Sequence, residues 1–168
     1  ECDEIPIIAA NMHRMILPRQ SQIWAVVKAG QPLQKLYYQI CSGLLGRLCF
    51  SGEPDALSAA QWTVMDEGTA FYGKAASIID HGVSQRFGSR IVSYRAPKGW
   101  QAVVRRGETQ TLVVVHTFGA APEAVTLPAG GKIAAQLMRD GLTVTHPDGQ
   151  LTVHGFTDFD AAAFILEN

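Results

Sequence analysis

Ser51-Gly52-Glu53-Pro54 is the part of this chain best placed to do chemistry. It ends an apolar run over 47–50 that lies between two helical patterns. In a (β/α) barrel the binding and reacting groups sit where strands end and helices begin. Ser51, Gly52 and Glu53 would then face a pocket. Ser51 and Gly52 carry little bulk and would let a ligand approach the backbone closely; equally, they could form a simple turn. Glu53 could hydrogen-bond a ligand hydroxyl or stand as a solvated loop carboxylate before Pro54. Gln22 shares one side of an apolar run over 20–27 with Gln20. If that side points inward, both are buried amides needing partners, which a pocket wall or a polar barrel layer would supply.

Other chemistries find no support. His13, His81, His116, His146 and His154 never fall at i, i+4 on a helix, so no metal site is expected. Cys2, Cys41 and Cys49 have neither metal nor redox spacing and cannot all pair, which reads as free thiols in a reducing compartment. There is no Gly-x-Ser-x-Gly elbow, phosphate loop or dinucleotide fingerprint, so no cofactor is expected. A formal net charge of -1 without any basic run argues against nucleic-acid or anionic-membrane partners. The longest apolar runs, such as 112–115, are far too short to span a bilayer. A cytoplasmic location is the expectation. Secretion stays open, because the chain starts at Glu1-Cys2-Asp3 without a methionine that would mark a complete leader region.

The elements that would position these residues are legible in the hydrophobic pattern. Pro6 suits an opening turn, and Ile8, Met12 and Met15 share a helical face that stops before Pro18. The run over 20–27 reads as a buried strand containing Ile23, Trp24, Val26 and Val27. Pro32 begins a helix whose stripe is Leu33, Leu36, Tyr37, Ile40 and Leu44, with Gly46 to stop it. Ser58 and Gln61 form a capping-box pattern, and Leu57 can staple onto Trp62. That helix carries Met65, Tyr72 and Ile79 and ends at Gly82. Trp24 and Trp62 are expected in the core. Helix, strand, helix, strand, helix argues parallel strands covered by helices. Two strands cannot close a barrel, so their partners must come from elsewhere.

Around residues 82–88 the pattern changes to short β-rich runs at 91–95, 100–105, 111–117, 124–127, 133–138, 142–145, 151–154 and 163–166. Turn residues separate them, as in an antiparallel sandwich. Asp140-Gly141 and Asp148-Gly149 predict tight hairpins through positive φ. The fold class is therefore α/β followed by all-β. Residues 1–86 read as the last elements of a (β/α)8 barrel and residues 87–168 as a carboxyl-terminal antiparallel β-sandwich.

Residue patterns narrow this further. Leu44-Leu45-Gly46-Arg47-Leu48-Cys49-Phe50-Ser51-Gly52-Glu53, followed by Leu57-Ser58-Ala59-Ala60-Gln61-Trp62 and Phe71-Tyr72, resembles the carboxyl-terminal region of family 36 glycoside hydrolases, the α-galactosidase-like enzymes. In that family a helix leads to the last barrel strand with a similar Gly/Ser-Gly turn. A Leu-Ser-x-x-Gln helix start then precedes the β-domain. Arg19-Gln20-Ser21-Gln22-Ile23-Trp24 would occupy the preceding barrel strand. The likeness covers most of residues 1–100; beyond them it is one of architecture.

The resemblance implies cleavage of terminal α-linked galactose, or a related α-glycoside, with retention of configuration. Retaining enzymes use two carboxyl groups about 5–5.5 Å apart. The family's nucleophile strand has no counterpart in this chain. Its acid/base falls in an Asp-rich turn before a helix, the place occupied here by Glu1-Cys2-Asp3-Glu4. Asp3 is the nearest counterpart, although it also reads as a carboxylate favoured at a helix amino terminus. Gln22, Ser51, Gly52 and Glu53 would bind substrate. The implied partners are an α-galactoside or related oligosaccharide and the missing amino-terminal part of the same enzyme. The chain alone would be inactive, and its uncovered apolar faces would drive self-association into a homo-oligomer. The alternative is a non-catalytic carbohydrate-binding or interaction module. In that case an exposed aromatic such as Trp100 would stack on sugar; otherwise Trp100 is a core or docking residue.

Overall fold

The structure is a computed structural model, and it describes residues 3–168. The capping-box pattern starts the longest helix, α3 (Ala59–His81). Ser58 Oγ accepts from Gln61 N at 3.3 Å, and Gln61 Oε1 accepts from Ser58 N at 2.9 Å. The stripe after Pro32 gives α2 (Leu33–Gly43), whose Leu36 and Ile40 are fully buried. The first helix, α1 (Ile5–Met12), is shorter than its apolar spacing suggests. It leaves Met15 in an exposed turn. Two strands, β1 (Gln22–Val27) and β2 (Arg47–Gly52), pair in parallel and in register, Gln22 against Arg47 and Val27 against Gly52.

The remaining strands are β3 (Val83–Gly88), β4 (Trp100–Arg106), β5 (Gln110–Thr117), β6 (Ala124–Pro128), β7 (Lys132–Met138), β8 (Thr143–Thr145), β9 (Gln150–His154) and β10 (Ala161–Glu167). They form a five-stranded sheet, β3-β4-β5-β10-β7, and a three-stranded sheet, β6-β9-β8, each wholly antiparallel. The inner strands β4, β5 and β10 of the larger sheet are buried on both faces. Ala102, Val104, Val113, Val115 and Phe164 pack against Val125, Leu127, Leu151 and Val153 of the smaller sheet. Val103, Leu112, Val114 and Ile165 pack on the other face against Leu36, Ile40, Phe71 and Ile79 of the helices. Burial on both sides explains why β5 and β10 read as near-continuous apolar runs rather than alternating ones. The 86/87 position falls inside β3, which belongs over its whole length to the five-stranded sheet.

The seam between helices and sheet is tied by polar groups. In the register of β4 with β5, Gln101 stands opposite His116 and Arg105 opposite Leu112, all on the helix-facing side with Val103 and Val114. Gln101 Nε2 donates to Pro6 O at 2.7 Å. Arg105 is buried; its Nη2 donates to Leu45 O at 2.8 Å, just past the end of α2, and its Nε to Ser84 Oγ at 2.9 Å. A cation suits the carbonyl end of a helix. His116 Nε2 lies 3.3 Å from Tyr38 O and 3.2 Å from Ser42 Oγ, and burial pulls its pKa down to about 3.

Several sequence expectations are corrected. Residues 91–95 form no strand; the edge position beside β4 is taken by β3, which ends at Gly88 with φ of 116°. Asp140-Gly141 joins β7 of one sheet to β8 of the other, so it is a crossover and not a hairpin. Asp148-Gly149 does link the adjacent antiparallel strands β8 and β9, with φ of 51° and 72°. Trp24 and Trp62, expected in the core, are 49% and 43% exposed. Alternation along β1 buries Ile23, Ala25 and Val27, which leaves Trp24 on the other face. Trp100 is half-buried against the core between the two sheets.

Candidate functional site

The carboxyl ends of β1 and β2 bring together Ser51, Gly52 and Glu53 with the loop over 28–32. On one face of the pair, Ile23, Ala25, Val27, Leu48 and Phe50 turn towards the helices. On the other, Gln22, Trp24 and Val26 stand beside Arg47, Cys49 and Ser51 in cross-strand register. This second face is exposed at Gln22, Trp24 and Arg47 and half-buried at Val26, Cys49 and Ser51, and among the described residues neither outer strand edge is paired with another strand.

Ser51 and Gly52 end β2 against Val26 and Val27. Gly52 has φ of 107°, and a Cβ there would stand 2.0 Å from Val27 O. Only glycine fits both constraints. The same carbonyl accepts Glu53 N at 2.9 Å, so the backbone fixes where the exposed Glu53 carboxylate begins. The loop over 28–32 is locked alongside by Gln61, whose Nε2 donates to Lys28 O and Gln31 O, each at 3.1 Å. Gln61 thus caps α3 and also holds the rim of the site.

Asp3 belongs to the same end of the sheet. Its carboxylate forms an ion pair with Lys35 in the first turn of α2, and its carbonyl accepts the Tyr38 hydroxyl at 2.5 Å. Burial, then the charges of Asp3 and Glu4, push the Tyr38 hydroxyl well above its ordinary pKa. Glu1 and Cys2 of the same run lie outside the described residues. Gln22 is not brought to this end. It opens β1 opposite Arg47, four residues from the position that pairs with Ser51, which is about 13 Å along the strand. It is exposed, not a buried amide.

Trp24 shares the open face midway between Gln22 and Val26, and a reading of it as core missed this. The signal was present: a period of two places Trp24 with Gln22 and not with Ile23. Ser51 Oγ, the Glu53 carboxylate and the Trp24 ring offer donors, acceptors and an apolar platform to a hydroxyl-rich ligand. Among the described residues no cluster of His, Cys, Asp and Glu could hold a metal ion. Cys41 and Cys49 are free thiols, and burial pushes that of Cys41 up.

Known structures place this arrangement. The whole chain matches 25% of the galactosidase domain of alpha-galactosidase-sucrose kinase, with a TM-score of 0.69 and 13% identity. The fold is shared with part of that domain. An Anoxybacillus alpha-amylase matches over 82% of this chain and 33% of its own, at 14% identity and a TM-score of 0.49. The alpha-amylase from H. orenii matches over 83% of this chain and 36% of its own, at 12% identity and a TM-score of 0.47. The chain therefore spans about a quarter of the length of the galactosidase domain it matches. No protein-family model matches the chain, and no curated protein matches it in sequence. No helix among the described residues is long and apolar enough to cross a membrane.

Proposed function

We propose that this chain is the carboxyl-terminal part of a retaining glycoside hydrolase of the α-galactosidase-like family 36. In this reading residues 1–86 complete a (β/α)8 pocket and residues 87–168 brace it. The observation that carries the reading is the β1–β2 pair: parallel, helix-covered on one face, and open on the other face and at both edges. Parallel sheets occur with both faces covered, and two strands do not make a stable sheet by themselves. Further strands closing onto those edges would turn the open face into a barrel interior. The likeness of the whole chain to a quarter of a galactosidase domain supports the same arrangement.

The substrate would be an α-galactoside, entering at the carboxyl ends of the strands. Ser51 and Glu53 would meet sugar hydroxyls, Gly52 would let the ring approach the backbone, and Trp24 would line the interior. Retention requires a carboxylate to attack the anomeric carbon and a second carboxyl group to protonate the leaving oxygen and then activate water. The nucleophile would come from strands outside this chain. Asp3 is the acid/base candidate, and its use requires the Lys35 ion pair to open.

The test is an assay of the polypeptide encoded by the whole reading frame on a nitrophenyl α-galactoside, with the first-formed anomer followed by proton NMR. Turnover with retention is expected, together with a nucleophilic carboxylate at a strand end upstream of Asp3. The 168-residue chain assayed by itself should show no turnover and should scatter light as assemblies. A compact, stable monomer encoded without upstream barrel strands overturns the reading.

A further inference from the structure

We propose that the cavity between α1 and β3 binds a small tetrahedral oxyanion, either inorganic phosphate or the phosphoryl group of a larger molecule. The cavity has a volume of about 370 Å³, and its lining includes Asn11, His13, Arg14, Ser84 and Arg86, with no carboxylate. It lies by the carboxyl end of α1, which leads through Pro18–Gln20 into the start of β1. It is thus at the opposite end of β1 from Ser51 and Glu53.

Its charge is unbalanced. Arg14 and Arg86 line it, and the buried guanidinium of Arg105 stands behind it through Ser84. None of the three forms an ion pair among the described residues. Arg86 donates to Ser89 O at 3.0 Å through Nη2 and to Gln101 Oε1 at 3.4 Å through Nε, which leaves Nη1 without a partner among the described residues. Ser84 Oγ accepts from Arg105, so its own proton is free to be donated into the cavity. The carboxyl end of α1 carries a partial negative charge, which the guanidinium groups of Arg14 and Arg86 lining the cavity must outweigh. Asn11 O accepts from Arg14 N, and Met12 O from Met15 N and Ile16 N. Burial, and after it the neighbouring Arg105, hold the His13 pKa down to about 4, so His13 adds no carboxylate-like or cationic charge to the lining near neutral pH. Guanidinium forks match the geometry of phosphate oxygens, and a cleft lined by cations concentrates such anions. The cavity is larger than one phosphate, so it has room for a small attached group.

Equilibrium dialysis of the full chain against radiolabelled inorganic phosphate at fixed ionic strength reads the site whatever the state of assembly. Saturable retention of one phosphate per chain is expected. R14Q and R86Q should each weaken it about tenfold, and the double variant should abolish it. Both side chains are exposed, so the fold should survive, and circular dichroism checks this. R47Q, on the open face of β2, should retain phosphate as the unaltered chain does. A hexose monophosphate that displaces the label at lower concentration than phosphate itself marks the phosphoryl group as part of a metabolite; equal displacement marks free phosphate. Absence of saturable retention, or equal retention by the R14Q/R86Q double variant, overturns the proposal.

Discussion

The five-stranded sheet presents Gln101, Arg105 and His116 to the helices, and each finds backbone atoms there: Pro6 O, Leu45 O and Tyr38 O. The open face of β1–β2 presents Gln22, Trp24, Arg47 and Ser51, and none of their side chains makes a hydrogen bond among the described residues. The first surface is dry and its polar groups are almost all matched, with His116 Nδ1 an exception. The second has similar polar content and no such matching. Completed polar accounting marks a finished joint, since an unmatched buried group costs about 1–3 kcal/mol. Its absence on β1–β2 marks a surface built to meet solvent, ligand or further strands.

That contrast can be broken most forcefully at Arg105. Replacing it with Leu strips the cation from the end of α2 and leaves buried carbonyls behind, so unfolding in denaturant should show a loss of about 3 kcal/mol. Gly52→Ala should cost about 2 kcal/mol, because it adds a Cβ at positive φ against Val27 O. If the end of β2 were free to move away from β1, the midpoint would barely shift.

Acid separates the two regions in another way. The folded-state pKa of His116 is about 3 and that of His13 about 4, both below the ordinary 6.5. The unfolded chain therefore takes up protons first. Stability is fully present above pH 6.5 and is lost as pH falls towards those folded values, by about 2 kcal/mol at pH 5 for His116 alone. Denaturation followed from pH 7 to pH 5 should show this slope, and His116→Gln should flatten it. The smallest effect belongs to the open face. Trp24→Lys should change stability by less than about 0.5 kcal/mol while reducing assembly in light scattering. A large loss of stability there would mean that Trp24 belongs to the core after all.

Much of this was legible in the residues. The capping box of Ser58 and Gln61, the stripe of α2 and the Asp148-Gly149 hairpin all follow from local rules that tertiary contacts do not override. What local rules could not supply was partnership. Gly82 and Gly88 looked like a boundary, yet Val83–Gly88 is a strand because β4 has a free edge beside it. Asp140-Gly141 has hairpin chemistry but spans two sheets, a choice fixed by which strands sit next to β7 and β9. Ser51 and Gly52 end β2 and Glu53 follows it, which local patterning could give, though not what they would bind. Gln22 stands at the other end of β1, because alternation reveals its face but not its distance along the strand. Arg105 and His116 gave only the quiet signal of polar residues inside apolar runs.

Strand β10 follows all the others in the chain, yet it sits between β5 and β7 in the middle of the larger sheet. During synthesis β3, β4 and β5 can zip together as they emerge, whereas β7 has no neighbour in that sheet until Ala161–Glu167 clears the ribosome. A translation product halted before Ala161 would display the apolar flanks of two strands at once, an invitation to chaperones and proteases that only the late-arriving segment withdraws.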